Sequence, residues 1–178
     1  MFKISFIFFY FFFISHNLLG SDIGKETGFK IPRYVSLKSN EVNLRVGPSE
    51  NYPILLSYTS INLPIEIMEE NGYWRKIKDH DGNTGWIKKN LLKGTRYALI
   101  LKKNDFQLIF SKPEGEKIGE IGQFNIVKII TCLDLWCSID IEGYTGWIKK
   151  HNLWGVYNEE KINIPIYQPI INLIWKLL

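Results

Sequence analysis

Only two cysteines, three histidines and two methionines occur among the 178 residues. Thiols and imidazoles this sparse leave no cluster at metal-ligand spacing. No glycine-rich phosphate loop is present, and no sign of charge dominates. Twenty-two Lys and Arg face 18 Asp and Glu, a net charge of +4, and without residues 1–21, which hold one Lys and no acid, it is +3. So mild and mixed a balance does not give the clustered basic face of a nucleic-acid binder, and no nucleic-acid partner is expected. The densest positive spots are the pairs Lys88–Lys89 and Lys149–Lys150, read as solvated strand ends, with contact to an anionic surface as the alternative.

Catalytic constellations are missing as well. A thiol endopeptidase needs a nucleophilic Cys, a His and an orienting polar group. His16 lies in the apolar leader, His80 in an expected turn and His151 just after an expected strand, while the two cysteines are better used as a pair. Glu69 and Glu70 sit in a turn-like stretch, a poor place for paired-carboxylate glycosidase chemistry. Asp79-His80-Asp81-Gly82-Asn83 has the look of a calcium loop but lacks the twelve-residue frame and distal Glu, so a hairpin turn is expected. The reading is of a protein that is not an enzyme and needs no cofactor.

What is present begins with an export signal over residues 1–21. Lys3 supplies the positive start, and Ile4 to Ile14 is an apolar run of 11 residues, six of them Phe. A membrane span needs about 20 apolar residues, so this run is short for one. Gly20 and Ser21 offer small residues for cleavage, although a Leu stands where a small residue is preferred. The alternative is an uncleaved N-terminal anchor; with no Cys near the site, a lipoprotein anchor is not expected. Either way the remainder leaves the cytoplasm for the periplasm or cell envelope.

The remainder says one thing twice. Thr84-Gly85-Trp86-Ile87-Lys88-Lys89 returns letter for letter 61 residues later as Thr145-Gly146-Trp147-Ile148-Lys149-Lys150. Around it, Tyr73 to Ile77 matches Leu135 to Ile139, and Ile61 to Ile67 matches Gln123 to Ile129. A period near sixty residues is a small domain, not a solenoid turn. The copies run from 34 to 96 and from 97 to 156, with a tail over 157–178. Val42, Leu44 and Val46 alternate with polar neighbours, as do Leu63, Ile65 and Ile67 more weakly, which is the period of a half-buried strand. Short strands with frequent turn signals and no amphipathic helix inside a repeat predict an all-β fold, two tandem SH3-like small β-barrels.

Particular segments carry a family resemblance. Glu41-Val42-Asn43-Leu44-Arg45-Val46-Gly47-Pro48, Tyr52-Pro53-Ile54, Leu63-Pro64-Ile65-Glu66, Trp74-Arg75-Lys76-Ile77 and Gly85-Trp86-Ile87 resemble secreted bacterial SH3-like proteins typical of alphaproteobacteria. In the second copy Cys132 to Cys137, Gly143-Tyr144 and Leu153 to Tyr157 look the same way. The resemblance covers residues 33 to 160 and is specific for fold, poor for activity. Related domains often bind cell-wall peptides or accompany wall hydrolases. It implies a non-enzymatic binding module whose partner is peptidoglycan or its stem peptides. A protein adaptor for an envelope partner is the alternative, and a hydrolase accessory is more remote. The second copy carries Ile109 and Ser111 where the first has Arg45 and Gly47, which weighs against ligand use of that loop there.

Aligning the copies sets Cys132 opposite Glu70 and Cys137 opposite Arg75, flanking a hairpin loop. Cross-strand pairs hold their Cβ atoms about 4.5–5.5 Å apart, near disulfide reach. In an exported protein this predicts a Cys132–Cys137 disulfide, with free buried thiols or a metal pair as the alternatives. Among aromatics, Trp74 and Trp136 are expected in the cores, and one residue of each pair Trp86/Ile87 and Trp147/Ile148 must face outward. Loops of SH3-like folds can form an aromatic groove for extended peptides. The candidate groove is Arg45, Tyr52, Tyr73 and Trp86, with Arg45 meeting a carboxylate unless it pairs with Glu41 or Glu66. The apolar tail, broken by Pro165 and Pro169, is expected to pack across its own domains; contact with a membrane surface or partner is the alternative. The short connection from Leu92 to Ile100 predicts that the two domains form a fixed pair.

Overall fold

The computed structural model of the chain describes residues 23–101 and 106–164. The export signal of residues 1–21 and the apolar stretch 165–178 lie outside the described residues. Among the described residues, fourteen strands form two sheets of seven. In the first, β1 is Arg33–Leu37, β2 Val42–Arg45, β3 Ile54–Tyr58, β4 Pro64–Asn71, β5 Trp74–Lys78, β6 Thr84–Lys88 and β7 Leu92–Lys93. In the second, β8 is Tyr97–Ile100, β9 Phe106–Phe110, β10 Lys117–Gly122, β11 Ile126–Cys132, β12 Trp136–Ile141, β13 Tyr144–Lys149 and β14 Leu153–Trp154.

The first sheet runs β3-β2-β6-β5-β4-β1-β7 and the second β10-β9-β13-β12-β11-β8-β14, the same order strand for strand. The two halves are therefore tandem SH3-like β domains. Their hydrogen-bonded order ends at β3 and β7, or β10 and β14, so neither sheet closes into the complete barrel expected. Even the irregularities repeat: register shifts fall between Ile67 and Glu69 in one domain and between Ile129 and Thr131 in the other. A bulge at the same point bends both long strands alike.

The repeated hexapeptide has a packing reason. A Cβ on Gly85 would come within 2.7 Å of the Arg45 carbonyl and of Leu44, and one on Gly146 within 2.3 Å of Ile109. Only glycine lets the sixth strand of each domain lie against the second.

Each domain has its own core. Leu37, Val42, Leu44, Ile65, Ile77 and Ile87 are buried in the first; Ile100, Val127, Ile139 and Ile148 are buried in the second. Val42 and Leu44 face inward as their alternation predicts, but Val46 is exposed, because β2 ends at Arg45 after a register shift. β4 departs further from simple alternation. Pro64 and Glu66 are buried along with Ile65 and Ile67, since the second domain covers the outer face of this strand.

That cover makes the pair of domains one packed unit. Leu99 of β8 belongs to the first domain's apolar cluster, with Ile126 and Trp154 packed against it. The Tyr34 ring meets Trp154 edge-on at 5.3 Å and Tyr157 at 4.6 Å. The Tyr157 hydroxyl donates to Glu66 Oε1 at 2.7 Å, and Lys78 Nζ lies 2.7 Å from Glu66 Oε2. Burial, then the Glu66 carboxylate, pushes the Tyr157 phenol above its usual range, so it stays a neutral donor. Burial, then Glu66, does the same to Tyr34. Tyr157→Phe removes one hydrogen bond to a charged group and should destabilise the tandem by about 1.5–3 kcal/mol. Urea unfolding checks it, and an unchanged midpoint would show that the bond contributes nothing to the joint.

Candidate functional site

The loop between β2 and β3 is held by the residue that precedes it. Arg45 Nη1 donates to the Tyr52 carbonyl at 2.7 Å, neither Glu41 nor Glu66 being its partner. Within the loop the Ser49 and Tyr52 N–H groups donate to the Gly47 and Ser49 carbonyls at 2.9 and 3.3 Å. The Tyr52 ring lies where a Cβ on Gly47 would touch it, at 2.6 Å. Arg45 and Tyr52 are thus one local unit, with 46% of Tyr52 exposed.

A cavity of about 250 Å³ opens beside this loop, lined by Glu41, Asn43, Arg45, Glu50, Trp74 and Lys88, with Leu91 at its edge. Lys88 forms an ion pair with Glu50 of the loop, and its Nζ lies 5.9 Å from the centre of the Trp74 ring. The cavity offers an aromatic face, a guanidinium, an ammonium and two carboxylates, a set suited to a zwitterionic or peptide-like ligand.

Trp86 does not contribute an open face. It lies across the sheet from Arg45 and Lys76 and is 8% exposed, while Ile87 beside it is fully buried. The expectation that one of the two faces solvent fails because both faces of β6 are covered. The accessible indole is Trp74, half-buried rather than in the core; sequence reasoning missed it because strand alternation cannot show which side a loop folds back over. Tyr73 is 72% exposed at the β4–β5 turn, away from the cavity lining, with Lys89 Nζ 4.4 Å from its ring centre. Of the candidate groove, the structure brings together Arg45 and Tyr52 and leaves Tyr73 outside.

The second domain repeats part of this arrangement. Lys149 Nζ lies 5.8 Å from the Trp136 ring, matching Lys88 on Trp74. Trp136 is buried edge-on against Phe110 at 5.2 Å. The adjacent cavity, about 320 Å³, is lined by Phe106, Gln107, Leu108, Phe110, Lys149 and Asn152, with no Arg and no acid. The other basic pair also divides: Lys150 is 3% exposed, its Nζ donating to the Asn158 and Glu160 carbonyls at 3.1 and 2.9 Å, and burial lowers its pKa. It holds the C-terminal segment and is not a solvated strand end.

Cys132 and Cys137 are cross-strand partners joined by a disulfide. Glu70 and Arg75 occupy the same register in the first domain. Both cysteines being engaged, neither is a free nucleophile. The Asp79 turn is likewise complete. Its carboxylate accepts the Asp81 and Asn83 N–H groups at 3.0 and 2.8 Å, the Asn83 side-chain amide at 2.9 Å and the Tyr58 hydroxyl at 3.0 Å. Among the described residues, no three His, Cys, Asp or Glu are placed to hold a metal ion, and no helix is long and apolar enough to cross a membrane.

Fold, repeat and register define a tandem SH3-like protein. The family model described as bacterial SH3 domain matches residues 38–94 and 125–155, so both halves of the chain carry a match to the bacterial SH3-like family. The second match begins only at 125, consistent with the divergent β9–β10 front of that domain. No curated protein matches the chain. Among solved structures, NlpC2 from Trichomonas vaginalis is similar at 17% identity and a TM-score of 0.31, covering 69% of this chain and 48% of that one. An NlpC/P60 family protein from Bacillus cereus ATCC 10987 is similar at 10% identity and a TM-score of 0.31, covering 78% and 61%. NlpC1 from Trichomonas vaginalis is similar at 17% identity and a TM-score of 0.30, covering 74% and 48%. The chain thus spans about half to three fifths of the length of these structures.

Proposed function

We propose that the protein is an exported, non-enzymatic binding module of the cell envelope that recognises peptidoglycan or its stem peptides through the β2–β3 loop cavity of its first domain. The observation that carries this reading is the cavity itself. In a bacterial SH3 domain, Arg45, Trp74, Lys88 and Glu50 line one opening beside exposed Tyr52. Peptide carboxylates suit Arg45, amines suit Glu50 and Glu41, and a sugar or peptide plane suits Trp74. A disulfide fits the oxidising compartment that export would reach.

The test is sedimentation of the full chain with purified peptidoglycan, beside a Tyr52→Ala/Trp74→Ala variant of verified fold. Truncating Trp74 in the cavity wall together with Tyr52 beside it costs about 2 kcal/mol or more, so the affinity should fall at least about tenfold. Equal retention of the variant would move the site off this loop. No retention of either protein would overturn the wall reading and favour an envelope protein as partner.

A further inference from the structure

A second cavity, of about 510 Å³, lies on another side of the first domain and shares no lining residue with the loop cavity. Its walls come from the N-terminal segment, from β1, β4, β5 and β7, and from the link to the second domain. Five cations line it: Arg33, Arg75, Lys89, Lys93 and Arg96. No acidic side chain does. The acids that touch these cations stand behind them. Glu70 takes Arg33 at 2.7 Å and Arg75 at 3.5 Å, and Glu160 takes Arg96 at 2.5 Å. Five positive charges against two negative leave a surplus of three. Lys89 and Lys93 form no ion pair among the described residues; Lys93 Nζ donates only to the neutral Asn62 amide oxygen, at 2.5 Å.

Two donors on these cations are unmet. Arg33 Nη1 and Arg96 Nε are buried and have no hydrogen-bond partner. A buried guanidinium N–H without an acceptor is costly, and an anion supplies the acceptor. The same two guanidiniums are held over rings, Arg33 at 5.4 Å from Phe29 and Arg96 at 5.8 Å from Tyr34. Val35, Ile67 and Leu92 complete an apolar floor. A cavity of a few hundred cubic ångströms with apolar walls and a few convergent polar groups has the form of a small-ligand site.

We propose that this cavity binds an oxyanion, a carboxylate or a phosphate, carried on a small ligand with an apolar body. Arg33 and Arg96 supply directional donors, Lys89 and Lys93 supply mobile charge, and Phe29 and Tyr34 face the apolar part. The proposal does not rest on wall recognition by the loop cavity.

The test titrates the full chain at low ionic strength with three probes: acetyl-Leu-Leu as the free acid, the same peptide as its C-terminal amide, and inorganic phosphate. Calorimetry reads the affinity. The free acid or phosphate should bind, the amide should not, and added salt should weaken the anion. Lys89→Gln/Lys93→Gln should weaken it about tenfold or more, and neither lysine holds a buried acid, so the fold is retained. The Tyr52→Ala/Trp74→Ala variant should bind the anion unchanged, which separates this site from the loop cavity. Tighter binding of the acid than of phosphate assigns a peptide carboxylate; the reverse assigns a phosphate ester; both support the oxyanion site. Equal binding of acid and amide, no binding of either anion, or full affinity in the lysine variant would overturn it.

Discussion

Glu70→Gln is expected to destabilise the protein by about 2–4 kcal/mol and to release the segment that precedes β1. The Glu70 side chain is fully buried. Its carboxylate accepts the Glu26 and Thr27 N–H groups at 2.9 and 3.0 Å, the Thr27 hydroxyl at 2.7 Å and Arg33 Nη2 at 2.7 Å. Gln offers one carbonyl in place of two charged oxygens, so some of these donors lose their acceptor and Arg33 and Arg75 lose their counter-charge. Breaking a buried pair by removing one member costs about 3–5 kcal/mol; the Arg33 side chain is 21% exposed, so water offsets part of that cost here.

The same residue sets an acid limb. Burial alone would raise the Glu70 pKa, but the hydrogen bonds from Arg33, Thr27 and the Glu26 backbone outweigh it and hold it at about 2, against an ordinary value of 4.5. A pKa depressed by folding means that the ionised carboxylate favours the folded state. That contribution is intact above the ordinary value and drains as pH falls from about 4.5 towards 2. Urea midpoints measured between pH 6 and pH 2.5 should therefore fall for the parent protein and run flatter for Glu70→Gln. Equal midpoints at pH 6, or parallel acid limbs, would remove Glu70 from this role.

Much of this was legible in the sequence, for physical reasons that can be named. The exact return of Thr-Gly-Trp-Ile-Lys-Lys reports a shared packing constraint, the close approach at Gly85 and Gly146. The copy alignment placed Glu70 with Arg75 and Cys132 with Cys137 because both pairs keep one hairpin register. Arg45 and Tyr52 were within reach of sequence reasoning because their contact is local. Trp74, Glu50 and Lys88 were not, since that cavity exists only where a loop meets strands distant in sequence. The basic cavity was hidden for the same reason: Arg33, Arg75, Lys89 and Arg96 are scattered along the chain, and nothing in their spacing predicts convergence. Nor did the sequence show that residues 23–32 fold back onto Glu70, because a docked segment without strand periodicity leaves no pattern.

Reducing the disulfide, or replacing it as Cys132→Ala/Cys137→Ala, should destabilise the second domain by about 2 kcal/mol on loop-entropy grounds. The effect should reach past the hairpin. Cys132 N–H donates to the Ile162 carbonyl at 2.9 Å and Ile162 N–H returns the bond at 3.1 Å, while the Thr131 hydroxyl donates to the Ile162 and Asn163 carbonyls at 2.8 and 3.0 Å. The C-terminal segment is thereby strapped to the same hairpin position at which Glu70, in the first domain, holds the N-terminal segment. One fold has met the same need twice, by ionic and by covalent means. The strapped segment also carries Tyr157 and Glu160, which reach Glu66 and Arg96 across the joint. Amide exchange at Ile162 and Tyr157 should quicken on reduction, while the core amides of β5 and β6 stay protected. Exchange unchanged at Ile162 would mean that the backbone bridge alone holds the segment. Exchange quickened equally in both domains would mean that the tandem opens as a single cooperative unit, with the Tyr34, Trp154 and Leu99 contacts as strong as either core.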